Sequence, residues 1–257
     1  MSWRWLLWLI PIYLVGLVVF APARMVLWFI PANADVELTA VQGTLWQGQA
    51  TLSYRVTPQQ QIIFNDVRWQ LAPWRLLSGT AAVDVQVPET NVVAGEGQVE
   101  LGLGGEVKLA GEFGGNLQQA VVAYQLPVPV TLDGQWSLQL ENFQLSDLSS
   151  GEWCSQLIGK LTTRGTAIRL NRQWTDLGPF ATALSCSANN EIVAKMEGNN
   201  SVGLSFETRL AGSQMAPQVF ISGKLQPTVQ TPRTVTDVLV FLGAPDASGA
   251  YPFSFRL

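Results

Sequence analysis

Histidine is absent from this 257-residue chain. That one gap removes the usual general base, the usual activator of a serine or cysteine nucleophile, and the commonest metal ligand. Cysteine is almost absent too. Cys154 and Cys186 are the only two, and a pair of thiolates does not complete a tetrahedral zinc site. Charge is scarce: Asp, Glu, Lys and Arg make up 13% of the residues, with a formal net charge of −4. An acidic balance with no basic cluster argues against nucleic acid as a partner. No G-x-S-x-G element occurs and there is no histidine, so a Ser-His-Asp hydrolase is excluded. Gly102-Leu103-Gly104-Gly105 lacks the lysine and the helix of a phosphate loop and reads as a β-turn. Carboxylate pairs such as Asp35 and Glu37, or Glu96 and Glu100, sit among alternating neighbours and read as the solvated face of strands. On this inventory the chain is expected not to be an enzyme, with no cofactor, no metal site and no catalytic residue.

What the sequence does have is a long apolar start. Arg4 and Arg24 are the only charges between Trp3 and Ile30, and the run Trp5 to Ala23 is uncharged. As a helix those residues would span about 28 Å, close to the hydrocarbon thickness of a bilayer. Trp3, Trp5, Trp8 and Trp28 cluster at the two ends, where amphipathic rings sit at headgroup level. Pro11 and Pro22 interrupt the run, which membrane helices tolerate better than soluble ones. Residues 1–30 are therefore expected to be a retained single-pass anchor. Two other readings compete: a cleavable signal peptide with Ala32-Asn33-Ala34 at its site, and a buried core helix. Arg4 and the terminal amine before the run, against Arg24 after it, favour a cytoplasmic N-terminus.

From Val36 onward apolar and polar residues alternate with a period of two. Val83, Val85 and Val87, then Val99, Leu101 and Leu103, then Trp136, Leu138 and Leu140 each mark one face of a strand. Phe180 to Leu184, Ile192 to Met196, Val202 to Leu210 and Val219 to Leu225 continue the pattern. Turn residues separate them at Ser78-Gly79, Gly95, Gly104-Gly105, Gly114-Gly115-Asn116, Asp133-Gly134, Gly198-Asn199-Asn200 and Ala211-Gly212-Ser213. The fold expected is mainly β, a meander of antiparallel strands with one apolar face. Only two segments after the anchor read as helical. Pro73 to Leu77 could make one turn, and Thr234 to Leu242 carries helical spacing with Thr234 as cap and Gly243 as stop. Two short helices cannot cover so large an apolar face. The sheet is therefore expected to curl into a barrel, a sandwich or a half-open trough, or to be covered by a partner or lipid. Val85, Leu101, Leu138 and Phe206 are candidate residues of that apolar groove.

In an exported domain Cys154 and Cys186 would pair, closing a loop of about 32 residues worth roughly 3 to 4 kcal/mol. The alternative is two buried thiols. Trp153, beside Cys154, is expected to pack on the bridge. Trp46 and Trp69 read either as interaction hot spots or as core residues beside glycines, and Trp74 could rest on a membrane surface near the anchor.

The stretch Gly43-Thr44-Leu45-Trp46-Gln47-Gly48-Gln49-Ala50, shortly after an apolar helix, resembles the type II secretion system protein N family. So does the element Trp69-x-Leu71-x-Pro73-x-x-Leu76-Leu77-x-Gly79, and so does the ending Val238 to Gly249. The likeness runs along the whole chain in length and order. It implies an inner-membrane protein whose residues 31–257 form a periplasmic β-rich domain. It also implies an accessory, non-catalytic role in the Gram-negative machine that exports folded proteins from the periplasm, with other components of that machine as partners. The Trp69 to Gly79 element is similar as well to AsmA-like envelope proteins, whose curved sheets are thought to hold lipid chains. That second likeness implies binding or carrying of acyl chains.

Overall fold

The computed structural model describes residues 13–29, 35–57, 60–124, 131–170, 172–213, 216–239 and 243–256. The chain divides into two compact units, Met1–Asn91 and Val92–Leu257.

In the first unit, residues 13–19 of the apolar run are α-helical, and Ala23–Phe29 continue as a 3-10 helix. Pro22 lies between them, where its missing N–H and restricted neighbour stop the α-helix. Trp3, Trp5, Trp8 and Pro11 lie outside the described residues, and among the described residues no helix is long and apolar enough to cross a membrane. Four strands follow: β1 (Val36–Gly43), β2 (Gln47–Thr57), β3 (Gln60–Leu71) and β4 (Thr80–Val87). Each is antiparallel to the next. Between β3 and β4 stands the single turn α1 (Pro73–Leu76), with Pro73 at its start, where a missing N–H costs nothing.

The described residues of the second unit form nine strands, β5 (Ala94–Gly102), β6 (Val107–Asn116), β7 (Thr131–Leu145), β8 (Gln156–Leu170), β9 (Gln173–Cys186), β10 (Ile192–Met196), β11 (Leu204–Ser213), β12 (Ala216–Leu225) and β13 (Tyr251–Arg256). They pair antiparallel in sequence order, and among the described residues β13 bonds to β12 alone, so the order does not close. The alternation expected from the sequence becomes a pair of registered rows. Phe113, Leu138, Leu161, Thr182, Met196, Phe206, Gly223 and Phe253 are successive partners across β6 to β13. One residue along each strand, Glu112, Gln139, Lys160, Ala183, Lys195, Glu207, Ser222 and Ser254 form the polar row of the opposite face.

Only part of the apolar face is covered. Helix α2 (Leu117–Ala123) lies beside β7, and helix α3 (Arg233–Leu239) buries Val235 against Leu177 and Val202. Phe180, Leu204 and Leu225 of the sheet pack on that cluster. Burying each such side chain contributes about 1.5 to 3 kcal/mol, so this end of the unit has a true core. Elsewhere on that face Leu145, Leu157, Thr182 and Met196 are buried, Leu138 and Phe206 are half-buried, and Leu101 is exposed.

Several local expectations change. Gly95 and Gly114-Gly115-Asn116, expected as turns, lie within β5 and β6, and Leu103, expected in a strand, lies in the turn after β5. Helix α2 stands where no helix is expected: Asn116 caps it by accepting a hydrogen bond from Gln119 N at 3.0 Å. Asp133-Gly134 is not a turn but lies inside β7. The register shifts between Asp133 and Gln135 while Gly134 takes φ +132°, the geometry of a bulge. Helix α3 begins at Arg233, so Thr234 is within it rather than capping it, and its hydroxyl meets Thr175 Oγ1 at 3.0 Å. Residues 240–242 lie outside the described residues.

Candidate functional site

The Gly43–Gly48 element forms the turn between β1 and β2, and its shape follows from its residue types. Gly43 has φ +92°, a conformation that favours glycine, and a Cβ there would stand 2.5 Å from Gln47 O. Thr44 N donates to Gln47 O at 2.8 Å, and Gln47 N donates to Thr44 Oγ1 at 3.2 Å, closing the turn. This leaves Leu45 and Trp46 projecting toward the end of the N-terminal helix. Leu45 N donates to Ala21 O at 2.8 Å, and Trp46 Nε1 donates to Val18 O at 2.8 Å. Val18 O, in the last turn of the helix, also accepts from Ala21 N at 3.3 Å, and Ala21 follows that turn, so the two donors tie the β1–β2 turn to the helix end. A bridge between Pro22 and Thr44 and the burial of Ala21 and Ala23 complete the junction.

The second sequence element joins the same assembly. Trp69 Nε1 donates to Leu45 O at 3.2 Å, and Leu71 N donates to Trp46 O at 2.7 Å. Register places Gly43, Gly48, Trp69 and Val85 in one row across β1 to β4. Pro73 then opens α1, and Gly79 closes it at φ +79°. Trp46 and Trp69 are half-buried with their N–H groups committed to backbone carbonyls, so each is a fastener between segments. The sequence offered only core or hot spot as readings. The signal for a third was the short spacing between the apolar run and G-T-L-W.

Of the candidate groove residues, Val85 belongs to the first unit. Leu101, Leu138 and Phe206 belong to one face of the second, with Leu138 and Phe206 in the same registered row. Trp136, on that face, has a buried Nε1 with no hydrogen-bond partner among the described residues. On the polar face, a depression of about 650 Å³ is lined by Glu207, Arg209, Phe220, Ser222, Ser254 and Arg256. Its cations are engaged: Arg209 pairs with Glu207 at 2.6 Å and Arg256 lies over the Phe220 ring at 4.9 Å.

Cys154 and Cys186 stand with their sulfurs 2.06 Å apart and Cα atoms 6.0 Å apart, and Cys154 is fully buried. The pair ties the segment before β8 to the end of β9. Trp153 donates from Nε1 to Ala211 O at 3.2 Å and Gly212 O at 3.1 Å, so it fastens the same segment to β11. Ahead of β13, Asp246 organises the last loop. Ser248 Oγ, Ser248 N and Ala250 N donate to Asp246 Oδ1 at 2.6, 2.8 and 3.0 Å. The Ser248 hydroxyl first, then the two backbone N–H groups, hold this carboxyl below its ordinary range. Among the described residues, no group of three or more Cys, Asp or Glu side chains is placed to hold a metal ion.

The first unit fastens an antiparallel sheet to an apolar N-terminal helix, and the second carries an amphipathic antiparallel sheet; the class of protein is mainly β. A family profile described as type II secretion system (T2SS), protein N, matches residues 34–254, and the chain belongs to that family. It is 28% identical to the type II secretion system protein N of Aeromonas hydrophila over 95% of this chain and 93% of that one. It is 26% identical to the protein of the same name from Vibrio cholerae serotype O1, again over 95% and 93%. No solved structure matches the chain.

Proposed function

We propose that this protein is a non-enzymatic accessory component of a Gram-negative type II secretion machine. Residues 1–30 hold it in the inner membrane with the N-terminus cytoplasmic, and residues 31–257 lie in the periplasm. There the β-rich part binds other secretion or envelope components through the open β13 edge and the uncovered apolar face. The observation that carries this reading is the family match along residues 34–254. The helix supports the membrane assignment, since Tyr13, Leu14, Val15, Leu17 and Phe20 are all more than half exposed. An apolar helix exposed on every side is at home in lipid rather than in water. Deleting the gene is expected to lower the amount of exported protein in the medium, with accumulation in the periplasm and recovery on complementation. Unchanged export would contradict the role.

One observation favours a second reading. The row from Phe113 to Phe253 crosses eight strands, with Thr182 and Met196 buried and Phe113, Leu138 and Phe206 half-buried. A largely apolar strip of that kind also suits acyl chains, as the likeness to AsmA-like proteins implies. Phospholipid co-purifying with the protein, and lost on placing charges at Leu138 and Phe206, would support it.

A further inference from the structure

We propose that the β3–β4 connection is a second membrane contact, a fixed turn that seats Trp74 and Leu77 in the headgroup zone of the bilayer holding the N-terminal helix. The inference rests on the membrane anchoring read above and adds a site to it.

Placement comes first. Neighbouring strands of the first unit are antiparallel, so the β1–β2 turn and the β3–β4 connection lie at the same end of that sheet. The helix is fastened at that end too, through Trp46 Nε1 to Val18 O and Leu45 N to Ala21 O. Trp46 O in turn accepts from Leu71 N, two residues before Pro73. The chain thus presents α1 beside the point where the apolar helix meets the sheet.

The surface of the turn is the second observation. Trp74 is 80% exposed, Leu77 84% and Leu76 42%, three large apolar side chains in four consecutive residues. Their backbone is nevertheless closed upon itself. Arg75 N donates to Ala72 O, Leu77 N to Trp74 O, Ser78 N to Arg75 O and Gly79 N to Leu76 O, while Pro73 has no N–H to satisfy. The Ser78 hydroxyl also donates to Arg75 O, at 2.7 Å. With four of its N–H groups satisfied internally, the turn leaves few of them stranded on entering a low-dielectric layer. Tryptophan with leucine, adjoining a helix apolar on all sides, is the composition of the bilayer interface. A second copy or another protein would need a matching groove; the lipid surface is already adjacent. Two attachment points, helix and turn, would fix the direction in which the strands leave the membrane, where a helix alone would leave a swivel.

The test uses full-length protein in vesicles of phosphatidylethanolamine and phosphatidylglycerol. A nitroxide amino acid is placed singly at Leu77, at Val15 in the helix, or at Tyr54 toward the far end of β2. Collisions with oxygen, which partitions into lipid, are compared with collisions with a water-soluble nickel chelate. The expected result is a several-fold excess of oxygen over chelate accessibility at Leu77 and Val15, and the reverse at Tyr54. Oxygen excess at Val15 with chelate excess at Leu77 overturns the proposal and leaves the anchor standing. Chelate excess at Val15 overturns the anchor and the proposal with it. A Leu77 label shielded from both reagents means that protein covers the turn, which also overturns the lipid contact.

Discussion

The indole of Trp69 lies so close over Gly48 that a methyl group on the glycine would come within 2.3 Å of ring carbon Cζ2. Gly48→Ala must therefore displace the ring from its bond to Leu45 O, and overpacking of this kind costs about 1 to 3 kcal/mol. Denaturant melts of the full chain in detergent should show that loss. The double variant Gly48→Ala with Trp69→Leu should lose less than the two single changes summed, because the clash with the ring is then gone and only the approach to Gln42 O, at 2.8 Å, remains. Strict additivity would count against the contact.

Trp46→Phe keeps most of the ring but deletes the donor to Val18 O. The expected cost is about 1 kcal/mol, with faster amide exchange in residues 13–21. Trp136→Phe makes the opposite control. Its buried N–H has no partner among the described residues, so the change should be neutral or stabilising. Equal losses at both positions would mean that ring packing, not the hydrogen bond, holds the helix.

These two tryptophans also show what the sequence could and could not convey. Period-two alternation sufficed for the strands, since a residue's side of a sheet depends only on its parity along the strand. Parity says nothing about register, however, so the two tryptophan elements looked independent until pairing put Gly43, Gly48, Trp69 and Val85 in one row. Gly134 misled for a related reason: a glycine with positive φ serves a bulge within a strand as readily as a turn between two. Helix α2 carried helical spacing at Leu117, Ala120, Val121 and Tyr124, which form its covered side, but seven residues are too short a window for that period to stand out. Its Asn116 cap was hidden behind two glycines.

Breaking the Cys154–Cys186 pair should destabilise the second unit. The sequence separation of 32 residues predicts a loss of about 3 to 4 kcal/mol in the loop-entropy account. Intact mass with and without reductant establishes the pair in protein taken from cells, and melts of Cys154→Ser with Cys186→Ser measure its worth. Free thiols at both positions in native protein would remove the bridge and weaken the periplasmic assignment.

The Asp246 loop should give β13 a dependence on acid. Hydrogen bonds from Ser248 and Ala250 lower the folded-state pKa of this carboxyl. Its contribution is therefore complete above the ordinary aspartate value and is lost as pH falls through the depressed one. Amide protection in Tyr251–Arg256 should hold through neutral and mildly acidic pH and fail only in stronger acid. Asp246→Ala should show the loosened strand already at neutral pH. Equal protection in the variant would show that β12 pairing alone seats the last strand.

The central claim is that the uncovered apolar face receives another component of the secretion machine. A photo-crosslinking amino acid placed singly at Leu101, Leu138 or Phe206 in secreting cells, followed by mass spectrometry of the adducts, tests it most directly. The account predicts crosslinks to other secretion-system proteins from these positions, and none from Lys160 or Lys195 on the polar row. Acyl-chain adducts in their place would transfer the face to lipid. Adducts confined to the chain itself would contradict an open face altogether.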